Sequence, residues 1–140
     1  FRNQHDDAKF SNKLQNTTNK LSKNSVKFKD TTMKKGKKTY TVQLTGLNKC
    51  IAKDKTFNTL YVDTNIKGKD KKKVTVTNVN VFFDGKKVKT IKKGVLTPDP
   101  GQTDGFVQLQ IINMWNSRVA KFKYTMPKKT IKVTYTVKIK

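Results

Sequence analysis

Glutamate is absent from this chain, and histidine, cysteine and arginine are scarce: the 140 residues contain one His, one Cys and two Arg. Proton transfer in enzymes is carried mostly by His, Glu, Asp and Lys side chains that converge on one site. The lone His5 lies in a polar segment near the start of the chain, and no G-x-S-x-G, P-loop or H-E-x-x-H spacing occurs. The sequence therefore predicts a non-enzymatic protein with no catalytic residues.

The single cysteine, Cys50, has no partner for an internal disulfide, and no Cys or His spacing typical of a metal site occurs. We therefore expect neither a metal nor a cofactor. No apolar run reaches the roughly 18 to 20 residues that cross a bilayer as a helix. The chain begins with Phe1 rather than Met, which we interpret as a processed start, and we expect an extracellular or cell-surface location.

Positive charge dominates what the sequence does contain, with 32 basic residues, 9 acidic residues and a formal net charge of +23. All the basic residues except Arg2 and Arg118 are Lys, and every acidic residue is Asp. A field of this size attracts polyanions, although it also costs the folded state some self-repulsion. The composition therefore favours a polyanion as the partner.

Residues 1–37 are rich in Lys, Asn, Ser, Thr and Asp and poor in large apolar side chains, which predicts a polar N-terminal arm. Phe10, Leu14 and Leu21 share one face at helical spacing, so a short helix is possible there. Residues 38–140 contain most of the aliphatic and aromatic side chains, and we assign them to one folded domain.

From Lys38 onward apolar residues alternate with polar ones, which is the period of half-buried strands. The first alternating groups are Tyr40, Val42, Leu44 and Leu60, Val62, Ile66. The apolar positions then change from even to odd numbers between Val76 and Val79. The inward face must therefore switch near Thr77 and Asn78, through a bulge or a crossing between sheets.

Phe83-Asp84-Gly85-Lys86 has the Asp-Gly pair that tight hairpins favour, because both central residues need a positive φ. Later strands are predicted at Phe106 to Met114, Val119 to Met126 and Ile131 to Ile139. Seven or eight short strands without helical segments between them predict an all-β fold, an antiparallel β-sandwich, with an open barrel as the alternative.

Residues 38–140 resemble the immunoglobulin-like domains of secreted proteins and lipoproteins from low-GC Gram-positive bacteria. The resemblance rests on the Tyr-Val-Leu opening strand, the segment from Leu60 through Phe83-Asp84-Gly85-Lys86, and the closing pair from Phe122-Lys123-Tyr124 to Ile139. It implies an immunoglobulin-like sandwich and a cell-surface address. It implies no particular activity.

The candidate binding residues are lysines in segments at predicted turns and strand ends, which could gather on one rim of the sandwich. They are Lys67, Lys69, Lys71, Lys72, Lys73, Lys86, Lys87, Lys89, Lys92 and Lys93. Further basic pairs occur at Lys34 to Lys38 and at Lys128-Lys129. Lysines also protect exposed sheet edges against aggregation, so each segment by itself has a structural explanation as well.

Several partners fit this pattern, and an anionic cell-wall polymer fits it best, because point charges suffice for a flexible repeating anion. An acidic membrane surface would permit peripheral contact. Nucleic-acid binding is the third hypothesis, and the scarcity of Arg makes it the less favoured one. The alternative is a protein-binding module, such as an adhesin, a surface-assembly component or an immunity-type protein. Its candidate contact residues are Asp99, Gln102, Asp104 and Trp115.

Overall fold

The computed structural model describes residues 33, 35–47, 57–98 and 105–140, together with the backbone of 2–4 and 26–28. Within these residues there are nine strands and one 3-10 helix, Gly68–Lys73. The strands are β1 (Arg2–Gln4), β2 (Val26–Phe28), β3 (Gly36–Leu44), β4 (Thr59–Lys67), β5 (Val74–Phe83), β6 (Lys86–Lys93), β7 (Val95–Pro98), β8 (Phe106–Asn113) and β9 (Ile131–Ile139).

The strands form two antiparallel sheets, one with the order β1-β4-β8-β7 and the other with the order β2-β3-β9-β5-β6. Alternate side chains of both sheets enter one shared core. Its most deeply buried members are Leu44, Leu47, Leu60, Val62, Val76, Val79, Val81, Val107, Leu109, Ile111, Ile131 and Val133. The predicted all-β, antiparallel, sandwich-like architecture is therefore confirmed for the described part of the chain.

Two local predictions are also confirmed. The register of β5 against β9 shifts between Thr77 and Asn80, and Asn78 has a φ of 50°. This bulge moves the inward face from Val76 to Val79. At the next turn Asp84 and Gly85 have φ values of 51° and 83°, as a two-residue type I′ hairpin requires.

The predicted strand from Val119 to Met126 is wrong, because this segment pairs with neither sheet. Its apolar side chains act instead as separate anchors. Val119 is buried, and the ring of Tyr124 packs edge-on against Phe83 at 5.3 Å between centroids. The Tyr124 hydroxyl accepts a hydrogen bond of 2.7 Å from the Phe57 backbone N–H. Phe122, Tyr124 and Met126 alternate in sequence as in a strand. Tyr124 and Met126 instead pack singly against the core.

Two pieces of the predicted arm are edge strands. Arg2–Gln4 pairs with β4, and Val26–Phe28 pairs with β3. The first strand of the predicted domain begins at Gly36, two residues before the predicted boundary. The possible helix through Phe10, Leu14 and Leu21 lies outside the described residues.

Asp84 ties the β5–β6 hairpin to the segment that precedes β9. Its carboxylate accepts backbone hydrogen bonds from Lys128 at 2.7 Å, Lys129 at 2.7 Å and Thr130 at 3.0 Å. Partial desolvation raises the pKa of this carboxyl. The three N–H donors and the Lys128 charge outweigh that effect, so the pKa lies below its ordinary value of 3.8.

We expect Asp84→Asn to lower the free energy of unfolding by roughly 1 kcal/mol at neutral pH, because the exposed charged acceptor is lost while the positive φ is still tolerated. The pKa of this carboxyl is lower in the folded state, so its contribution is present above about pH 4 and disappears as the pH falls further. Urea unfolding at pH 6 and pH 3 measures both effects. Asp70→Asn, which removes only a surface ion pair, is the control, and an equal loss at both pH values would contradict the assignment.

Gly94 marks the place where the chain passes from the five-stranded to the four-stranded sheet. Its N–H donates to the Val76 carbonyl at 2.8 Å. A Cβ atom at this position would lie 2.8 Å from Leu109 Cδ1 and 3.0 Å from Val76 Cγ1. The chain can therefore pass this close to Leu109 and Val76 only because residue 94 has no side chain.

Gly94→Ala should lower the free energy of unfolding by about 1 to 3 kcal/mol, since the added methyl group overpacks the core. Gly68→Ala is the matched control, because its nearest atom would be the Gly105 carbonyl oxygen at an ordinary 3.4 Å. Thermal unfolding of the two variants checks this. Equal melting temperatures would show that the core relaxes around the methyl group.

Candidate functional site

The pairing of β9 with both β3 and β5 gathers lysines that are remote in sequence. Gly36 and Val74 both pair with Ile139, and the Lys140 N–H donates to the Lys73 carbonyl at 3.0 Å. We call the resulting group of nine side chains the lysine end. It comprises Lys35, Lys37, Lys38, Lys69, Lys71, Lys72, Lys73, Lys138 and Lys140.

Among the residues that the structure describes, little negative charge compensates the lysine end. Asp70 lies within it and forms one ion pair, with 3.6 Å between its Oδ1 and Lys73 Nζ. Both partners are exposed, with side-chain exposures of 40% and 69%, so solvent screens the pair and it contributes little. The 3-10 helix that presents Lys69 to Lys73 buries none of its residues. These ammonium groups are therefore available to an external anion.

The ten predicted lysines do not form one cluster. Lys71 to Lys73 precede the first residue of β5, whereas Lys86 pairs with Phe83 at the other end of that strand. An extended strand of this length separates the two groups by roughly 30 Å. Lys67 pairs with Phe106, next to the lysine end. Lys86 and Lys87 lie at the opposite end, beside the loop that Asp84 binds.

Three of the predicted lysines line an open cleft instead. Lys89, Lys92 and Lys93 on edge strand β6 face a space of about 350 Å³, which Arg118 borders from the segment after β8. Ile91, Val95, Val119 and Ala120 provide apolar lining. Sequence spacing gave no reason to join Arg118 to the lysines of β6, because strands β7 and β8 separate them along the chain.

The end opposite the lysine end is aromatic. Met114 and Trp115 follow β8, and they are the large apolar side chains left exposed in the described structure, at 52% and 63%. The backbone N–H of Trp115 donates a hydrogen bond of 3.0 Å to Asn113 Oδ1. Beside them is a shallow pocket of about 220 Å³ lined in part by Phe57, Phe122 and Tyr124. Burial raises the pKa of Tyr124 despite the hydrogen bond from Phe57.

Of the four predicted partner residues, the structure describes Trp115. Trp115 follows the last residue of β8, whereas Val107 at the start of that strand pairs with Pro98. Asp99, Gln102 and Asp104 lie outside the described residues. Trp115 and the neighbouring Met114 therefore form one candidate contact surface, at the end of β8 away from Pro98.

Two features are absent from the described residues. No helix among them is both long and apolar enough to cross a membrane. No group of three or more His, Cys, Asp or Glu side chains in that part of the chain could hold a metal ion. Cys50 and His5 fall outside it.

Comparisons of the chain with models of protein families, with curated proteins and with solved structures gave no match. The candidate site must therefore be interpreted from its own geometry and charge. Three surfaces carry distinct chemistry: the lysine end, the cleft beside β6, and the exposed Met114-Trp115 pair.

Proposed function

We propose that this protein is a non-enzymatic, extracellular or cell-surface domain that is held to anionic polymers of the cell envelope through its lysine end. One observation carries the proposal: strand pairing places nine lysines at one end, and Asp70 is the single acidic residue among them in the described part of the chain. Clustered charge of one sign raises the local concentration of a polyanion and steers it toward the surface.

The type of cation also supports a flexible polymer. Lysine offers a hydrated point charge on a flexible stem, whereas arginine offers a planar fork that selects a fixed geometry. The lysine end contains no arginine. Such a surface suits a repeating anion whose charges have no fixed positions, which argues for a teichoic acid or an anionic glycan and against nucleic acid.

We also propose that the two sheets form an immunoglobulin-like sandwich. Strands β3 to β9 are seven in number, which is typical of that class, and the chain crosses between the sheets four times along them. In such folds the loops and turns lie at the two ends of the sandwich. The opposed lysine and aromatic ends fit that arrangement.

The triple variant Lys71→Gln, Lys72→Gln, Lys73→Gln should weaken binding to Gram-positive cell walls by roughly threefold to a hundredfold. Each exposed ionic contact is worth about 0.2 to 1 kcal/mol, and none of these residues is part of the core. Co-sedimentation with walls before and after removal of their anionic polymers, across a salt series, is the measurement. Wild-type binding should disappear on stripping and at high salt.

The matched control is Lys121→Gln, Lys123→Gln, Lys128→Gln, which removes the same charge from exposed positions outside the lysine end. It should bind walls more tightly than the first variant at every salt concentration at which the wild type still binds. Equal weakening would show that only the net charge matters. Unchanged binding in both would refute attachment through polyanions.

A protein-binding module is the second candidate function, and the exposed Met114 and Trp115 favour it. Soluble proteins rarely leave two neighbouring large apolar side chains in water without a use, and Trp is enriched in interface hot spots. An interface of this kind is apolar, so salt does not screen it.

If that function holds, wild-type protein should remain on stripped walls at high salt, and Trp115→Ser should abolish this fraction. The same co-sedimentation measures it. Ser117→Ala, an exposed position in the same segment, serves as the control. A salt-resistant fraction that survives Trp115→Ser would place the contact elsewhere.

A further inference from the structure

The cleft beside β6 lies on the open side of the two-sheet structure. Strand β6 ends the described five-stranded sheet and β7 ends the described four-stranded sheet, and the two are joined through Gly94. The segment after β8 covers part of this opening with Val119, which is buried. The result is a concave space of about 350 Å³, near the lower limit for small-molecule sites.

The lining of the cleft separates charge from apolar surface. Its charged members are Lys89, Lys92, Lys93 and Arg118, and none of the described residues that line it is acidic. Apolar lining comes from Ile91, Val95, Val119 and Ala120. A ligand that fills this space must therefore combine a negative group with a compact body that has apolar C–H surface.

Arg118 distinguishes this site from the lysine end. It is one of two arginines in a chain whose other basic residues are lysines. A guanidinium binds two oxygens of one carboxylate or phosphate through parallel N–H donors, which an ammonium cannot do. The turn before it is fixed by a hydrogen bond of 3.0 Å from the Arg118 N–H to Asn116 Oδ1.

The polar side chains of the lining, Thr90 and Gln110, already make hydrogen bonds within the protein. The Thr90 hydroxyl donates to Asn80 Oδ1 at 2.8 Å, so toward a ligand it can only accept a hydrogen bond. Gln110 Nε2 donates to Thr97 Oγ1 at 2.6 Å, and its Oε1 accepts from Asn113 Nδ2 at 2.8 Å. Thr90 pairs with Asn80 and Ile91 with the buried Val79, so the Thr90 hydroxyl lies on the other face of β6 from Ile91. The charged side chains of the lining therefore remain as the groups that can bind a ligand.

We infer that this cleft binds one anionic sugar unit. Arg118 and the neighbouring lysines hold its carboxylate or phosphate, and the apolar lining takes the C–H face of the ring. The inference rests on the proposed function and names the unit of the polymer that is recognised. Lys93 pairs with Thr77, three residues from the start of β5, so the cleft lies roughly 10 Å along the strand from the lysine end.

The test is a titration of the full-length protein, observed by backbone amide NMR, with galacturonate, glucose 6-phosphate and neutral galactose. Galacturonate or glucose 6-phosphate should shift amides in Lys89 to Val95 and around Arg118, and the preferred one identifies the anion. Galactose should shift none of them. Arg118→Lys, which keeps the charge and loses the fork, should weaken binding about fivefold or more.

Lys121→Gln is the matched control, since it removes an exposed cation from the same segment without touching the lining of the cleft. It should bind the sugars as the wild type does. Equal binding by Arg118→Lys and wild type, or shifts confined to other residues, would overturn the inference. An unchanged amide spectrum outside the cleft shows that each variant is folded.

Failure here differs from failure of the proposed function. The Lys71, Lys72, Lys73 triple variant should still bind the acidic sugar while its binding to cell walls weakens. Arg118→Lys should weaken binding of the sugar, and it should weaken binding to cell walls less than the triple variant does. Loss of sugar binding in the triple variant would show that the lysine end itself holds the sugar, which overturns the assignment to the cleft.

Discussion

The central place of β9, hydrogen-bonded to β3 on one side and to β5 on the other, is the constraint on which the rest of this structure depends. Its inward residues Ile131 and Val133 are fully buried, so the pairing is fixed by the core. A shift of one residue would turn these side chains to solvent. The same register aligns the starts of β3 and β5 with the end of β9, and so creates the lysine end.

This arrangement places like charges together. Lys37 and Lys138 are directly opposite across β3 and β9, a pairing that destabilises a sheet. Farther along the same strands the facing pair is Thr39 and Thr136, whose hydroxyls lie 2.9 Å apart in a hydrogen bond. The core and the neutral middle of the sheet offset the repulsion at its end. The charged end is therefore one that folding alone would disfavour.

The candidate site was predictable in kind and only partly in place. Lysine segments at turns and strand ends were recognised from the sequence. Three lysines of one such segment, Lys89, Lys92 and Lys93, line the cleft. Arg118, which borders the same cleft, was not recognised from the sequence. Strands β7 and β8 lie between it and these lysines along the chain, and no local pattern links the two segments. Lys138 and Lys140 were also missed, because in sequence they belong to an alternating strand and only its register carries them to Lys73.

By itself the sequence determined what depends on neighbours along the chain. The alternation of β3, β4 and β9, the face switch at Asn78 and the turn at Asp84-Gly85 follow from period and φ preference, which are local. The same alternation misled at Phe122, Tyr124 and Met126, because period cannot tell a paired strand from separate anchors. Which lysines lie together was decided by strand order and register alone, since a +23 charge specifies attraction without direction.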